Sequence, residues 1–176
     1  MFSSMNIALI GFMGSGKTTI GKKLARQLGW TFLDSDILIQ EKKKCTIPEI
    51  FAKNGEAYFR ECERSVLIEV AKLKKVVLAT GGGLPIGEKN WEILHRDFFT
   101  IYLKANFNEL YLRINGDPIR PMLQKYPSQE QLKELYLNRL SWYEKAHVII
   151  DTTQKKLERI IGEIIERASP ICTNQN

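Results

Sequence analysis

The chain has 176 residues, a formal net charge of +6 and 44% hydrophobic residues. This length is typical of one globular domain with a substantial buried core. Only 10% of the residues are aromatic and the arginines are scattered singly, so we expect no stacking platform or basic track for nucleic acid. No apolar run approaches the roughly 20 residues that cross a bilayer, so we expect no membrane partner.

The cysteines indicate a reducing compartment. Cys45, Cys62 and Cys172 form no CxxC pair and lie far in sequence from both histidines. This arrangement predicts neither a zinc site nor a disulfide framework. The amino-terminal apolar run has no basic segment before it, so we expect no signal peptide, and a cytoplasmic location follows by elimination. Nothing in the sequence requires an oligomer, and we expect a monomer.

Short apolar runs alternate along the chain with segments of helical spacing. In chain order they predict a strand at 6–10, a helix at 17–28, a strand at 31–33, helices at 37–44 and 48–73, a strand at 76–79, a helix at 88–95, a strand at 98–103, helices at 106–114 and 129–146, a strand at 148–150 and a helix at 157–168. Asn54 and Gly55 are expected to divide the long helix at 48–73. This order predicts an α/β fold of three layers, in which a five-stranded parallel sheet has helices on both faces.

The segment from Gly11 to Thr18 matches the phosphate-loop pattern GxxxxGK[ST] between a predicted strand and a predicted helix. Glycines let the backbone curl so that its N–H groups face phosphate oxygens, and the helix that follows adds its positive end. Lys17 supplies a mobile charge for the β- and γ-phosphates, and Thr18 supplies a hydroxyl ligand for Mg²⁺. The loop predicts nucleotide binding, but it neither names an acceptor nor separates a kinase from a switch GTPase.

Two aspartates, Asp34 and Asp36, follow the second predicted strand. If the strand continues to Asp36, both side chains point to one face, at the edge of the sheet where ligands bind. One carboxylate could then support the magnesium shell while the other accepts a proton from an attacking hydroxyl group. The alternative is that one of them caps the next helix.

Three consecutive glycines, Gly81, Gly82 and Gly83, follow the third predicted strand. Such a run is entropically costly to order, which favours a place where backbone approaches a ligand without side chains in the way. A tight turn is the alternative, although a turn needs fewer glycines. Arg60 and Arg139 lie in predicted helices, where spacing alone favours solvent-facing positions.

The segment 115–128 breaks the pattern of elements with one glycine and three prolines. It is long for a plain connection and predicts a mobile lid. Arg120 lies between Pro118 and Pro121, and from the lid its guanidinium group could neutralise charge on the transferring phosphate and exclude water. We predict one domain at 1–170, which includes the lid, and a flexible tail at 171–176.

Taken together, these residues resemble the shikimate kinase family. The resemblance runs from about residue 6 to residue 168 and rests on motifs in order: GFMGSGKTT at 11–19, DSD at 34–36, FRECE at 59–63, TGGG at 80–83, RPML at 120–123 and NRLSWYEKA at 138–146. It implies a P-loop kinase fold and ATP-dependent phosphorylation of the 3-hydroxyl group of shikimate to shikimate 3-phosphate. That reaction belongs to the pathway to chorismate and the aromatic amino acids.

The resemblance also implies roles for individual residues. The catalytic residues would be Lys17, Asp36 and Arg120. The ATP-binding residues would be Gly14, Ser15, Gly16, Lys17, Thr18, Thr19, Arg113 and Arg120, and Mg²⁺ would be held through Thr18 and Asp34. Shikimate would be bound by Asp36, Arg60, Gly81, Gly82, Gly83 and Arg139.

Two points in this resemblance leave alternatives open. Glu63 resembles the residue that positions Arg60, although its spacing also permits an ordinary surface pair on a helix. The family often carries a proline in the adenine loop after the last strand, whereas residues 151–156 contain none. We therefore assign no adenine contacts there.

Two other functions remain possible from the sequence. The first is a related kinase for another small acid such as gluconate, or for a nucleotide, because a phosphate loop and a lid would serve equally. The second is a non-catalytic nucleotide-binding module or switch. The chain contains no NKxD pattern for guanine and no DxxG switch signature, which disfavours the second alternative.

Overall fold

The computed structural model describes residues 6–114, 126 and 128–172, and for residues 170–172 it describes the backbone alone. The strands are β1 (Asn6–Ile10), β2 (Thr31–Asp34), β3 (Val76–Ala79), β4 (Phe98–Lys104) and β5 (Val148–Asp151). The helices are α1 (Lys17–Leu28), α2 (Ser35–Lys43), α3 (Ile47–Ala71), α4 (Glu88–Asp97), α5 (Phe107–Ile114), α6 (Gln129–Tyr143) and α7 (Leu157–Cys172). All the predicted elements are present, and the differences lie at their ends.

Two of the helices show how local chemistry sets the boundaries. Helix α3 begins at a capping box between Thr46 and Glu49, and it is interrupted at Gly55, whose φ of 79° is not helical. The predicted division at this glycine is therefore correct. The closing helix α7 continues to Cys172, further than the predicted end at residue 168.

The five strands form one parallel sheet in the order β2-β3-β1-β4-β5. Strands β1 and β3 are buried along their whole length because helices cover both faces of the sheet. The prediction of a five-stranded parallel sheet is thus confirmed. This order places the carboxyl ends of β2, β3 and β1 side by side, and the segments that follow those three strands carry the motifs described above.

Two apolar clusters lie on opposite faces of the sheet and define three layers. On one face, Ile7 and Leu9 of β1 pack in a cluster with α1 and α7. On the other face, Ala8 and Ile10 pack in a larger cluster with α2 through α6. The alternation along β1 follows from the two-residue period of a strand. The rigid sheet between these clusters holds the segments at its carboxyl edge in place.

Most of the predicted lid lies outside the described residues, since Tyr126 and Ser128 are the members of 115–128 that the structure describes. Ser128 caps helix α6 in a capping box with Gln131. Arg120 also lies outside the described residues, so the lid and its arginine stay predictions. Among the described residues, no helix is long and apolar enough to cross a membrane.

Candidate active site

A cavity of about 840 Å³ opens at the carboxyl edge of β2, β3 and β1. It brings together nearly all of the residues selected from the sequence. The described residues among them that line it are Gly14, Ser15, Gly16, Lys17, Thr18, Thr19, Asp34, Asp36, Arg60, Gly81, Gly82, Gly83, Arg113 and Arg139. This volume is within the range of a pocket that binds small molecules.

The phosphate loop curls between β1 and α1 with left-handed backbone at Gly14, where φ is 78°. A Cβ atom at this position would lie 2.8 Å from Cγ2 of Ile114 and 3.2 Å from the backbone oxygen of Leu110. Both the conformation and the close approach of α5 therefore require glycine here. The first turn of α1 contains no acidic residue, which preserves the positive end of the helix for an anion.

Lys17 lies across the mouth of this loop. Its Nζ atom donates hydrogen bonds to the backbone oxygens of Gly11 and Phe12, at 2.9 Å each. These bonds hold the ammonium group beside the N–H groups of the loop, where an incoming phosphate would meet it.

Thr18 and Asp34 form the pair of oxygen ligands expected for a magnesium site. The hydroxyl group of Thr18 donates to Oδ2 of Asp34 at 2.9 Å. The other carboxylate oxygen, Oδ1, accepts the backbone N–H groups of Asp36 at 3.0 Å and Ile37 at 3.5 Å, so Asp34 is also the cap of α2. The capping and metal-binding interpretations are compatible because they use different oxygens of the same side chain.

Asp36 reaches the cavity by a route that differs from the predicted one. Strand β2 ends at Asp34, and Asp36 lies in the first turn of α2 rather than on a continued strand. The chain turns because Asp34 caps the helix. Burial and the neighbouring Asp34 carboxylate raise the pKa of Asp36, and Lys17 opposes this effect. The carboxylate is therefore a stronger proton acceptor than an exposed aspartate.

Gly81 and Gly83 leave no room for a side chain because charged groups occupy that space. A Cβ atom at Gly81 would lie 2.7 Å from Oδ1 of Asp36 and 3.0 Å from Oε1 of Glu63. A Cβ atom at Gly83 would lie 2.3 Å from Nη1 of Arg60. Gly81 and Gly83 thus permit the charged side chains of α2 and α3 to pack directly against the backbone after β3.

Arg60 forms an ion pair with Glu63, and the carboxylate of Glu63 is buried. Nη1 of Arg60 donates to Oε2 of Glu63 at 2.6 Å, and Nη2 donates to Oε1 of Glu56 at 3.0 Å. The side chain of Glu63 is 1% exposed, so this is no ordinary surface pair. Burial raises the pKa of Glu63 to about 7 despite the opposing charge of Arg60.

Arg139 is buried on α6, contrary to the solvent-facing position that spacing alone favours. Its guanidinium carbon lies 5.9 Å from the centroid of the Phe12 ring, and Nη1 is 3.5 Å from the position of a Cβ atom on Gly82. Because Arg60 and Arg139 approach neighbouring glycines, two guanidinium groups face the same part of the cavity.

Arg113 lies against the phosphate loop from the other side. Its Nη1 atom donates to the backbone oxygen of Gly14 at 3.1 Å, and Nη2 pairs with Glu109. Thr19 lines the cavity from the first turn of α1. The residues predicted from the sequence therefore lie on both sides of the phosphate loop.

Several further residues of the cavity were not selected from the sequence. An apolar wall is formed by Ile47, Pro48, Phe51 and Phe59, while Thr152, Lys155, Leu157 and Ile160 line the cavity from the carboxyl-terminal segment. Ser35, between the two aspartates, accepts the backbone N–H of Gly81 at 2.8 Å. The position of Ser35 between Asp34 and Asp36 could have indicated its role from the sequence. The apolar residues of the wall have the spacing of any core-facing helix, so nothing in the sequence indicated that they line a cavity.

The donor set at Thr18 and Asp34 fits magnesium. Mg²⁺ prefers oxygen ligands and commonly uses few protein ligands together with water and nucleotide phosphates. Across residues 6–114, 126 and 128–172, no group of three or more histidine, cysteine, aspartate or glutamate side chains could hold a metal ion. A metal at this place would thus depend on the phosphates of the nucleotide.

These features together define a class of protein. A phosphate loop after the first strand of a parallel sheet faces Arg60, the buried Arg139 and a carboxylate across one cavity. This is the arrangement of a P-loop kinase that transfers phosphate to a small acidic acceptor.

The comparisons identify the particular family. The family model for shikimate kinase matches residues 13–169. A shikimate kinase from Synechococcus elongatus is 38% identical over 175 residues, which cover 95% of this chain and 92% of that protein. The chain belongs to the shikimate kinase family.

Solved structures agree with this assignment. A shikimate kinase from Acinetobacter baumannii in complex with shikimate has a TM-score of 0.90 and 38% identity, over 96% of each chain. A deoxyadenosine kinase from M. mycoides with bound dATP has a TM-score of 0.64 at 15% identity, over 94% of this chain and 100% of that one. The second likeness shows the fold alone.

Proposed function

We propose that this chain transfers the γ-phosphoryl group of ATP to the 3-hydroxyl group of shikimate and releases shikimate 3-phosphate and ADP. Membership of the shikimate kinase family supports this reaction. The observation that carries the proposal is the shared cavity in which the phosphate loop faces Arg60, Arg139 and Asp36. Transfer requires donor and acceptor to be held together, and a shared cavity provides that proximity.

The acceptor is held through its carboxylate group. Arg60 and Arg139 present planar guanidinium groups, which suit the geometry of a carboxylate. Gly81, Gly82 and Gly83 let the acceptor approach the backbone and these side chains closely. The position of Arg60 is fixed by Glu63, so the binding geometry exists before the acceptor arrives.

Asp36 acts on the acceptor hydroxyl group. Its carboxylate accepts a hydrogen bond from that group and takes the proton as the oxygen attacks the γ-phosphorus. The raised pKa that burial and Asp34 produce favours this proton acceptance. Lys17, whose charge acts to lower the pKa of Asp36, would hold the transferring phosphate near this carboxylate.

The donor phosphates are held by the amides of the phosphate loop, from Gly14 to Thr19, and by Lys17. Lys17 would exchange its bonds to the backbone oxygens of Gly11 and Phe12 for bonds to phosphate. Thr18 and Asp34 would hold Mg²⁺, which offsets negative charge on the phosphates when it is bound. Arg113 would border the nucleotide. The predicted role of Arg120 at the transferring phosphate stays a prediction.

A substrate screen by ADP release tests the proposed function. Purified protein, ATP and MgCl₂ are combined in parallel with shikimate, gluconate and nucleoside monophosphates. We expect turnover that depends on shikimate and on magnesium. Turnover on another acceptor without turnover on shikimate would sink the proposal, and tight shikimate binding with no turnover would favour the non-catalytic alternative.

The monomeric state, the cytoplasmic location and the single domain at 1–170 remain predictions from the sequence. Sedimentation equilibrium of the purified chain would test the first of them directly. We expect one species of 20.3 kDa.

A further inference from the structure

The glycine run after β3 is tied down by hydrogen bonds that use its backbone groups. The carbonyl oxygens of Gly81 and Gly83 accept the N–H groups of Leu84 and Ile86, each three residues further along the chain, at 3.1 Å each. The carbonyl oxygen of the middle residue, Gly82, is held differently. It accepts the hydroxyl group of Tyr143 at 2.6 Å, and Tyr143 is 61 residues away in sequence.

Tyr143 is the last residue of α6 and is fully buried. Its ring packs against Tyr102 with centroids 5.2 Å apart, which holds the side chain in one orientation. Burial raises the pKa of Tyr143 to about 12, so the hydroxyl group stays protonated at neutral pH and keeps donating to Gly82. The bond is therefore a constant feature of the site rather than one that depends on pH.

The same hydroxyl group also interacts with Arg139. The guanidinium group lies one helical turn before Tyr143 on α6, and its positive charge acts to lower the pKa of the tyrosine. Arg139 in turn lies close to Gly82. Tyr143 and Arg139 thus approach Gly82 together, from the same helix.

Gly82 also lies beside the phosphate loop. A Cβ atom on Gly82 would be 3.5 Å from the backbone oxygen of Gly11 and 3.6 Å from the backbone nitrogen of Met13. The orientation of the Gly82 peptide therefore affects both Arg139, which is proposed to bind the acceptor, and the phosphate loop, which is proposed to bind ATP. In a trans peptide the C=O and N–H groups point in opposite directions, so the N–H of Gly83 points away from the buried tyrosine.

We propose that Tyr143 is a positioning residue for the acceptor, whose hydroxyl group fixes the Gly82 peptide and the Arg139 guanidinium group relative to each other. This inference rests on the proposed function, because it assigns Tyr143 to the acceptor side of that same site. Three glycines in a row have many accessible conformations, and one of them is selected by a hydroxyl group from a distant helix. Tyr143 itself does not touch the reacting atoms.

The test is Tyr143→Phe, which removes the hydroxyl group and keeps the ring. Tyr136→Phe is the matched control, because Tyr136 lies on the same helix, is buried and donates its hydroxyl group to the backbone oxygen of Ala105 at 3.3 Å, away from the cavity lining. We expect Tyr143→Phe to raise the KM for shikimate about tenfold, with the KM for ATP changed less than twofold. Tyr136→Phe should change neither constant.

A purely structural role predicts a different result. In that case the two variants would lose thermal stability to a similar extent, and Tyr143→Phe would leave both KM values unchanged or raise them equally. Either result would overturn the proposal. Thermal unfolding of both variants shows that each is folded under the assay conditions.

A second measurement separates this inference from the proposed function. Glycine amides labelled with ¹⁵N report the Gly82 and Gly83 environment in the ligand-free protein. Tyr143→Phe should shift these two resonances, whereas Tyr136→Phe should not. If wild-type protein fails to phosphorylate shikimate, the proposed function fails, while unshifted glycine resonances in Tyr143→Phe would refute the positioning role by themselves.

Discussion

Four ionisable side chains are packed together at the acceptor end of the cavity. Glu63 and Arg139 are almost fully buried, and Asp36 and Arg60 lie beside them. Burying charges is costly unless they are paired, and here opposite charges alternate. The cost is tolerated because the same guanidinium groups are then ready for an anionic acceptor without first losing conformational freedom.

Replacement of Arg139 tests the acceptor end. Arg139→Ala should raise the KM for shikimate by about 10- to 100-fold, since hydrogen bonds to charged groups contribute about 1.5–3 kcal/mol. The KM for ATP should change little. Arg113→Ala is the reciprocal variant and should raise the KM for ATP more than the KM for shikimate. Equal losses for both substrates in Arg139→Ala would contradict the assignment.

Replacement of Lys17 tests phosphoryl transfer. Lys17→Ala should lower kcat by about 10²- to 10³-fold, because the ammonium group stabilises charge that develops in the transition state. Circular dichroism and thermal unfolding should remain close to those of the wild type. Lys22→Ala, an exposed position on the same helix, serves as the control and should retain full activity. Near-normal turnover of Lys17→Ala would count against the role of this lysine.

The loop after β3 shows how one element depends on its neighbours. Its glycines lie where α2, α3 and α6 direct Asp36, Arg60 and Arg139 into the cavity. Side chains from three helices therefore converge on the backbone of this loop. Its own sequence supplies no functional side chain, and its contribution is its backbone and the space that it leaves.

Substitution within this loop should displace Arg60. In Gly83→Ala the new methyl group would meet Nη1 and Cζ of Arg60, which is the mobile end of a long side chain. We expect a shikimate KM raised about tenfold with little loss of stability, because the arginine moves rather than the backbone. Steady-state kinetics and thermal unfolding measure the two effects.

A glycine elsewhere gives the control for this variant. Gly162 is exposed on α7, and a Cβ atom there would meet nothing within 4 Å. Gly162→Ala should raise the free energy of unfolding by about 0.5–1 kcal/mol with unchanged kinetics, because alanine restricts the unfolded chain and favours the helix. Unchanged shikimate KM in Gly83→Ala would show that Arg60 does not hold the acceptor from its present position.

The stability of the whole molecule is linked to the protonation of Glu63. The pKa of Glu63 is raised from 4.5 to about 7 in the folded state. The folded state then binds more protons than the unfolded state between these two values. The stabilisation is fully present below pH 4.5 and is lost as the pH rises through about 7, and it amounts to about 3 kcal/mol. The raised pKa of Asp36 acts in the same direction.

Denaturant unfolding between pH 5 and pH 8 tests this linkage. Wild-type protein should lose free energy of unfolding as the pH rises, and Glu63→Gln should show a smaller loss. Comparing the two proteins removes the contribution of His147, whose lowered pKa destabilises the fold as the pH falls below 6.5. Glu56→Gln removes the charge of the more exposed partner of Arg60, and its free energy of unfolding should change with pH as that of the wild type does. If the free energy of unfolding changed equally with pH in the wild type and in Glu63→Gln, the linkage to Glu63 would be excluded.

The sequence by itself determined the α/β architecture and the donor side of the site. Hydrophobic periodicity and glycine stops are local, and the phosphate loop is one continuous segment whose function depends on its own backbone. The division of α3 at Gly55 was likewise visible, because a residue with left-handed φ interrupts a helix wherever the helix lies.

The family resemblance named the acceptor residues, but only the tertiary structure decided how they come together. Arg139 has the sequence surroundings of a surface residue and is buried, and Asp36 enters the cavity from a helix rather than from a strand. The bond from Tyr143 to Gly82 joins segments that no local pattern relates. Such contacts depend on the order of strands in the sheet and on the packing of helices across it, and these long-range arrangements are not encoded in the period or composition of any one segment.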